Sequence, residues 1–198
     1  MHEHKDYVGA KLGMWLFLFT EILLFGGLFL LYAAYLKRYP QEFHLAGKEL
    51  NVVLGGLNTV VLITSSCFMA LSISALQQGR VSQSKRFLLL TIAMALFFLV
   101  NKYLEWSAKI GHGIFPNSPE LLERPAGEVV FFGLYYIMTG LHGVHVILGC
   151  GLLSVAFYLI SRGKVTPQHY VFLENSGLYW HLVDLVWIYL FPLFYLIA

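Results

Sequence analysis

The chain has 198 residues, 58% of them hydrophobic and only 12% charged, with a mean hydropathy of +0.69. Soluble domains carry about 25% charged residues, so this composition excludes a soluble domain and reads as an integral membrane protein. A formal net charge of +2 gives no electrostatic reason to expect nucleic acid.

A helix crosses the bilayer core with roughly 20 apolar residues. Five stretches meet that length, at residues 12–37, 52–77, 84–109, 128–161 and 170–197. The expectation is an all-α fold: a polytopic bundle of five transmembrane helices forming a single transmembrane domain over 1–198. The first span is too long for a signal-peptide core and ends in Lys37 and Arg38, so it reads as a retained helix.

Short polar connections separate the spans. Residues 38–51 include Pro40, residues 78–84 form a tight turn around Gly79, and residues 110–127 hold Gly111, Gly113, Pro116, Pro119 and Pro125. Residues 162–169 join the last two spans. Gly and Pro clusters of this kind end helices. No internal repeat is visible, which weakens a transporter reading. The fourth span is longer than a bilayer needs and should tilt or project. Pro192 predicts a bend near the end of the fifth.

Orientation follows from Lys and Arg in short loops. An N-terminus inside places Lys5, Lys11, Arg80, Lys85, Arg86, Arg162 and Lys164 on the inner side and Lys37, Arg38, Lys48, Lys109 and Arg124 outside. Seven against five favours a cytoplasmic N-terminus and a periplasmic C-terminus. Trp15, Tyr32, Tyr35, Trp106 and Tyr170 lie near span ends and read as interfacial belt residues. Cys67 and Cys150 sit inside spans without a Cys-x-x-Cys pair, and read as small apolar core residues.

The ionisable residues inside the spans are the informative ones, because a charge in hydrocarbon costs a few kcal/mol at least. Glu174, His181 and Asp184 are separated by seven and three residues, which puts them on one stripe of a helix. Glu21 lies about 13 Å into the first span with no basic residue within a turn. It is either a proton-exchanging or lipid-sensing carboxyl, or a neutral carboxylic acid hydrogen-bonded to a neighbouring helix. Lys102 and Glu105 form an i,i+3 pair that neutralises itself. His142 and His145 share a face of the fourth span. With His181 they raise three readings: bis-histidine haem across helices, a zinc site lacking a defined third ligand, or histidines bonded to intramembrane carboxylates. A di-iron site would use Glu-x-x-His motifs, and none occurs. The expectation is no metal, and a polar network of His142, His145, Glu174, His181 and Asp184 that fixes the bundle. Gly140 and Gly143 flank His142 and predict close helix packing on that face.

Together these residues resemble subunit III of the haem–copper oxidases, cytochrome c and quinol oxidase forms alike. Glu174, Tyr179, Trp180, His181, Val183, Asp184, Val186 and Trp187 follow the family's last helix. Thr139, Gly140, His142, Gly143, His145 and Val146 follow an earlier one. Glu21, Phe25, Gly27 and Phe29, then Leu57, Asn58 and Thr59, then Glu105 and Trp106, match the other three in order. Many members have two further helices at the N-terminus; this chain is similar to the five-helix bacterial form.

The resemblance implies an accessory chain without catalytic residues or redox centres of its own. Haem and copper belong to partner subunits, with bound phospholipid on this one. It implies packing on subunit I, an assembly with subunit II, with subunit IV as a further candidate partner, and support of proton uptake, of lipid or oxygen access and of stability. Glu21 is the candidate functional carboxyl. It implies a bacterial inner membrane. The alternatives are the related accessory chain of a nitric oxide reductase, or a stand-alone haem-binding electron carrier.

Overall fold

A computed structural model describes residues 7–197; Lys5, used in the orientation argument, lies outside them. The described residues are helical almost throughout: α1 (Tyr7–Arg38), α2 (Pro40–Lys48), α3 (Val52–Gln77), α4 (Val81–Gly111), α5 (Pro119–Leu122), α6 (Ala126–Ser161) and α7 (Val171–Pro192), then a π-helix at Leu193–Ile197. Five of these are long and apolar enough to cross a membrane, in the order and near the bounds expected. At 36 residues, α6 is about 54 Å long, well beyond the hydrocarbon core.

Local chemistry sets the helix ends. Asn51 caps α3, its side-chain oxygen accepting from the Leu54 amide at 3.1 Å. Gly79 ends α3 with φ 76°, the left-handed conformation that glycine adopts at no steric cost. It turns the chain so that the Arg80 amide reaches the Ala75 carbonyl at 2.9 Å, the long bond of a Schellman closure.

The segment 38–51, expected to be a plain connection, holds α2. Pro40 begins it, where its missing N–H is harmless. Phe43, Ala46 and Gly47, spaced i, i+3, i+4, are all buried. Phe43 meets the edges of Tyr32 and Phe131 at 5.4 and 5.3 Å. The helix therefore plugs the C-terminal-side end of the bundle. The Phe–Ala–Gly spacing is the sequence signal for it; nine residues are too few for a span.

Three other expectations change. Tyr32 is not a belt residue: it is wholly buried, and its hydroxyl donates to the Leu193 carbonyl at 2.5 Å. Cys67 faces outward rather than into the core. Gly143 has nothing within 4 Å of where a Cβ would stand, while Gly140 touches Trp106 at 3.0 Å. Tight helix seams lie instead at Gly149, where a Cβ would come within 2.8 Å of the Trp180 ring, and at Gly177, 2.7 Å from Ile73. The large partner residues, absent from the local sequence around each glycine, decide where helices close up.

Helix α1 packs least. Its buried side chains, Leu18, Phe25 and Tyr32, form a single stripe with a seven-residue step, facing α6 and α7. Pro192 does interrupt the regular α7 ladder: the chain continues as a π-turn, which absorbs the lost backbone hydrogen bond.

Candidate functional site

The polar side chains inside the bundle fall into separate groups, each set by the helix it faces.

The most buried group lies toward the C-terminal side. Lys102 and Glu105, one turn apart on α4, are both almost fully buried. Lys102 Nζ donates to Glu105 Oε2 at 3.1 Å, to the Tyr135 hydroxyl at 3.0 Å and to the Tyr195 hydroxyl at 2.8 Å. That uses all three N–H groups of a lysine. The two phenols in turn donate to Glu105 Oε1 at 2.7 and 2.6 Å. The Trp187 ring lies 5.2 Å from Nζ, within cation–π range. The group is neutral overall and every donor of Lys102 is satisfied, the condition under which a buried ion pair is tolerated. It joins α4, α6 and the π-turn after Pro192, so it acts as a tertiary clasp. Tyr135 and Tyr195 were not anticipated. A buried tyrosine needs a partner for its hydroxyl, and Lys102 and Glu105 were the visible candidates. Nothing in the local sequence links residues 90 positions apart.

Glu21 meets His145 across the α1–α6 seam, Oε2 to Nε2 at 2.9 Å, with both side chains mostly buried. Nδ1 of His145 sits 2.8 Å from the Leu141 carbonyl. A carbonyl only accepts, so Nδ1 carries its hydrogen, and Nε2 is the ring atom that faces the carboxyl. Phe25 covers the imidazole edge-on at 5.3 Å, and the Tyr179 hydroxyl donates to the His145 carbonyl at 3.2 Å. An apolar groove lined by Phe17, Ile147, Leu148 and Tyr179 runs alongside. The pair is a carboxyl–imidazole contact beside an apolar groove.

The last helix turns its stripe to α3. His181 Nδ1 is 2.6 Å from Ser66 Oγ. The indoles of Trp180 and Trp187 donate to Ser65 and Thr59 at 3.1 and 3.0 Å. Asp184 is buried with neither oxygen hydrogen-bonded; Ser66 lies beside it. His142 is wholly buried between Trp187 and Phe98, at 5.3 and 5.5 Å between ring centres, and neither nitrogen has a hydrogen bond.

Glu174 stands apart from these. It occupies the first turn of α7, where the helix dipole favours a carboxylate. It pairs with Lys11 of α1 at 2.9 Å, with 30% of its side chain exposed. Asn175 donates to the Ala10 carbonyl at 3.2 Å, and Tyr7 stacks on and hydrogen-bonds His169. These contacts clamp the N-terminal end of α1 to α7. Among the described residues, the five side chains expected to form one network make no direct hydrogen bond to one another. His145 goes to Glu21, His181 to Ser66 and Glu174 to Lys11, while His142 and Asp184 are held by packing. A shared helical stripe spans more than a turn of rise, so its members meet different neighbours.

The same geometry bears on ligands. The three histidines face three different helices, and among the described residues no three His, Cys, Asp or Glu side chains converge. They do not fit a haem or zinc ligand set, and the electron-carrier alternative is not favoured.

Comparison with known proteins agrees with the sequence resemblance along the full chain. The family model for cytochrome c oxidase subunit III matches residues 1–198. A protein named cytochrome c oxidase subunit 3 from Thermostichus vulcanus is 32% identical, covering 100% of this chain and 90% of its own. One of the same name from Synechocystis sp. is 32% identical over 99% of this chain and 78% of its own. That of Lemur catta is 30% identical over 94% of this chain and 66% of its own. Five membrane-length helices, relatives of the same name matched over nearly the whole chain and a family match from end to end lead to one conclusion: this chain belongs to the cytochrome c oxidase subunit III family.

Proposed function

We propose that the chain is the non-redox accessory subunit III of a proton-pumping haem–copper terminal oxidase, which reduces O2 to water in aerobic respiration. The end-to-end family match supports this reading. In it, haem and copper reside in partner subunits, and this chain packs on subunit I, in an assembly with subunit II and a subunit IV. The membrane is a bacterial inner membrane, with the N-terminus cytoplasmic and the C-terminus periplasmic.

Within that role Glu21 is the functional carboxyl. The observation that carries this is its 2.9 Å contact with His145, next to an apolar groove that suits an acyl chain. A proton held there changes site without creating an unpaired charge in hydrocarbon. The pair supports proton uptake by subunit I and contacts lipid, while His142, His181 and Asp184 hold the bundle together.

The test is purification of this chain from its native membrane under mild detergent. Haem and oxygen consumption in the assembly, with a colourless separated chain, is the expected result; haem staying with the separated chain would overturn the reading. In the same assembly Glu21→Gln leaves subunit content unchanged and alters proton uptake or shortens activity over many turnovers. Unchanged uptake and unchanged endurance would remove the role assigned to Glu21.

A further inference from the structure

A cavity of about 650 Å³, lined by both charged and apolar side chains, opens on the C-terminal side between the start of α3 and the end of α4. Lys109 forms part of its wall and is only 8% exposed. Its one hydrogen-bond partner among the described residues is the Glu49 carbonyl, at 3.1 Å. No carboxylate lies within ion-pair distance of it there. Two N–H groups of a buried ammonium are thus left without a protein acceptor, an arrangement that costs free energy unless an anion or water fills it.

The neighbouring charges are already matched. Arg124 is held by Glu49 Oε1 at 2.6 Å and by Glu128 at 3.2 Å, which raises its pKa further. Glu105 is saturated by Lys102 and the two tyrosines. Lys109 is therefore the unmatched cation. Beside it, Asn51 has spent its carbonyl oxygen on the Leu54 amide, which leaves its NH2 as a donor. The same lining offers acceptors. Glu49 Oε2 has no bond among the described residues. His112 has its Nδ1 at 2.6 Å from the Ala108 carbonyl, so Nε2 is left to accept. Leu54, Leu104 and Ala108 form an apolar wall, and Leu104 is 58% exposed on the membrane-facing side of α4.

We propose that this cavity binds the headgroup of an aminophospholipid. The phosphate diester accepts from Lys109 Nζ and Asn51 Nδ2, the primary ammonium donates to Glu49 and His112 Nε2, and the acyl chains leave along Leu104 into the bilayer. The site shares no lining residue with the groove beside Glu21. A phosphate alone would satisfy Lys109 but leave the apolar wall and the acceptors unused. A trimethylated ammonium has no N–H for the two acceptors.

The experiment uses the assembly that purifies with the full-length chain, placed in nanodiscs of phosphatidylcholine with a minority of phosphatidylethanolamine. Native mass spectrometry then counts retained lipid. The wild type and Lys109→Arg should keep a phosphatidylethanolamine that Lys109→Gln holds about tenfold less well, as loss of a charge-assisted hydrogen bond implies. Equal retention in all three would overturn the site. So would release of the lipid by inorganic phosphate, or a carbodiimide cross-link from Lys109 to a partner-chain carboxylate. If Lys109→Gln fails to assemble, Glu49→Gln reads the same site: it should abolish preference for phosphatidylethanolamine over phosphatidylcholine, and an unchanged preference overturns the proposal. Lipid retention is read separately from oxygen reduction, so the two conclusions fail independently.

Discussion

Lys102 touches Glu105, Tyr135, Tyr195 and the Trp187 ring at once, so its removal strands several buried groups together. Lys102→Met leaves the Glu105 carboxylate without a cation in a low-dielectric interior. We expect a loss of about 3–5 kcal/mol, read as a lower unfolding temperature of the purified assembly. Lys102→Met combined with Glu105→Gln should recover much of that loss, because the orphaned charge is gone. Additive losses in the double variant would show that the four side chains do not act as a unit. The i,i+3 pair itself was legible from spacing alone. Its depth was not, because the two phenols that bury it come from other helices. Glu21 shows the same division. Its place within an apolar span marks it out, while its partner, 124 residues away, is defined only by how α1 lies on α6.

At the scale of helices, contact depends on which small residue meets which large one. Gly149 lies against the Trp180 ring, and a Cβ there would stand at 2.8 Å. Gly149→Val therefore forces α6 and α7 apart or pushes Trp180 off its bond to Ser65, an overpacking cost of about 1–3 kcal/mol. Gly143→Ala, with open space around it, should change stability by no more than about 0.5 kcal/mol. Unfolding of the two variants side by side checks this; equal losses would mean that the seams are not where the structure places them. From sequence, Gly143 and Gly149 look alike, since glycine is informative about a helix interface only once the opposing side chain is known. The amphipathic α2 differs in kind: its Phe43, Ala46 and Gly47 spacing was readable, but its burial depends on the ends of α1, α6 and the π-turn meeting above it.

Across the whole molecule, the apolar surface that a membrane protein must offer is present on every long helix, and α1 offers most of it. The Lys11–Glu174 pair at one end and the Arg124–Glu49–Glu128 group at the other sit at opposite ends of the bundle and frame the apolar band. The proposed orientation puts the first group on the cytoplasmic side. A periplasm-active reporter fused after Ala198 should therefore be active and one fused before Met1 silent; the reverse pattern would invert the topology, and with it the side from which the Lys109 cavity is filled.

Composition and periodicity alone determined that the chain lies in a membrane, that it spans it five times, and which residues are too polar to be there without a reason. Those properties follow from transfer free energies summed along single segments, so no partner is needed to read them. The motifs in the five spans were enough to point to the family. Tertiary structure decided who meets whom: His145 with Glu21, Tyr135 and Tyr195 with Glu105, Trp180 with Gly149, and Lys109 with a cavity and no carboxylate. It also set Glu174, paired with Lys11 at the helix end, apart from His181 and Asp184 beside Ser66. Each of these depends on the rotation and depth of one helix against another. Close packing of large and small side chains from distant parts of the chain sets those quantities, and hydropathy along a single helix does not contain them.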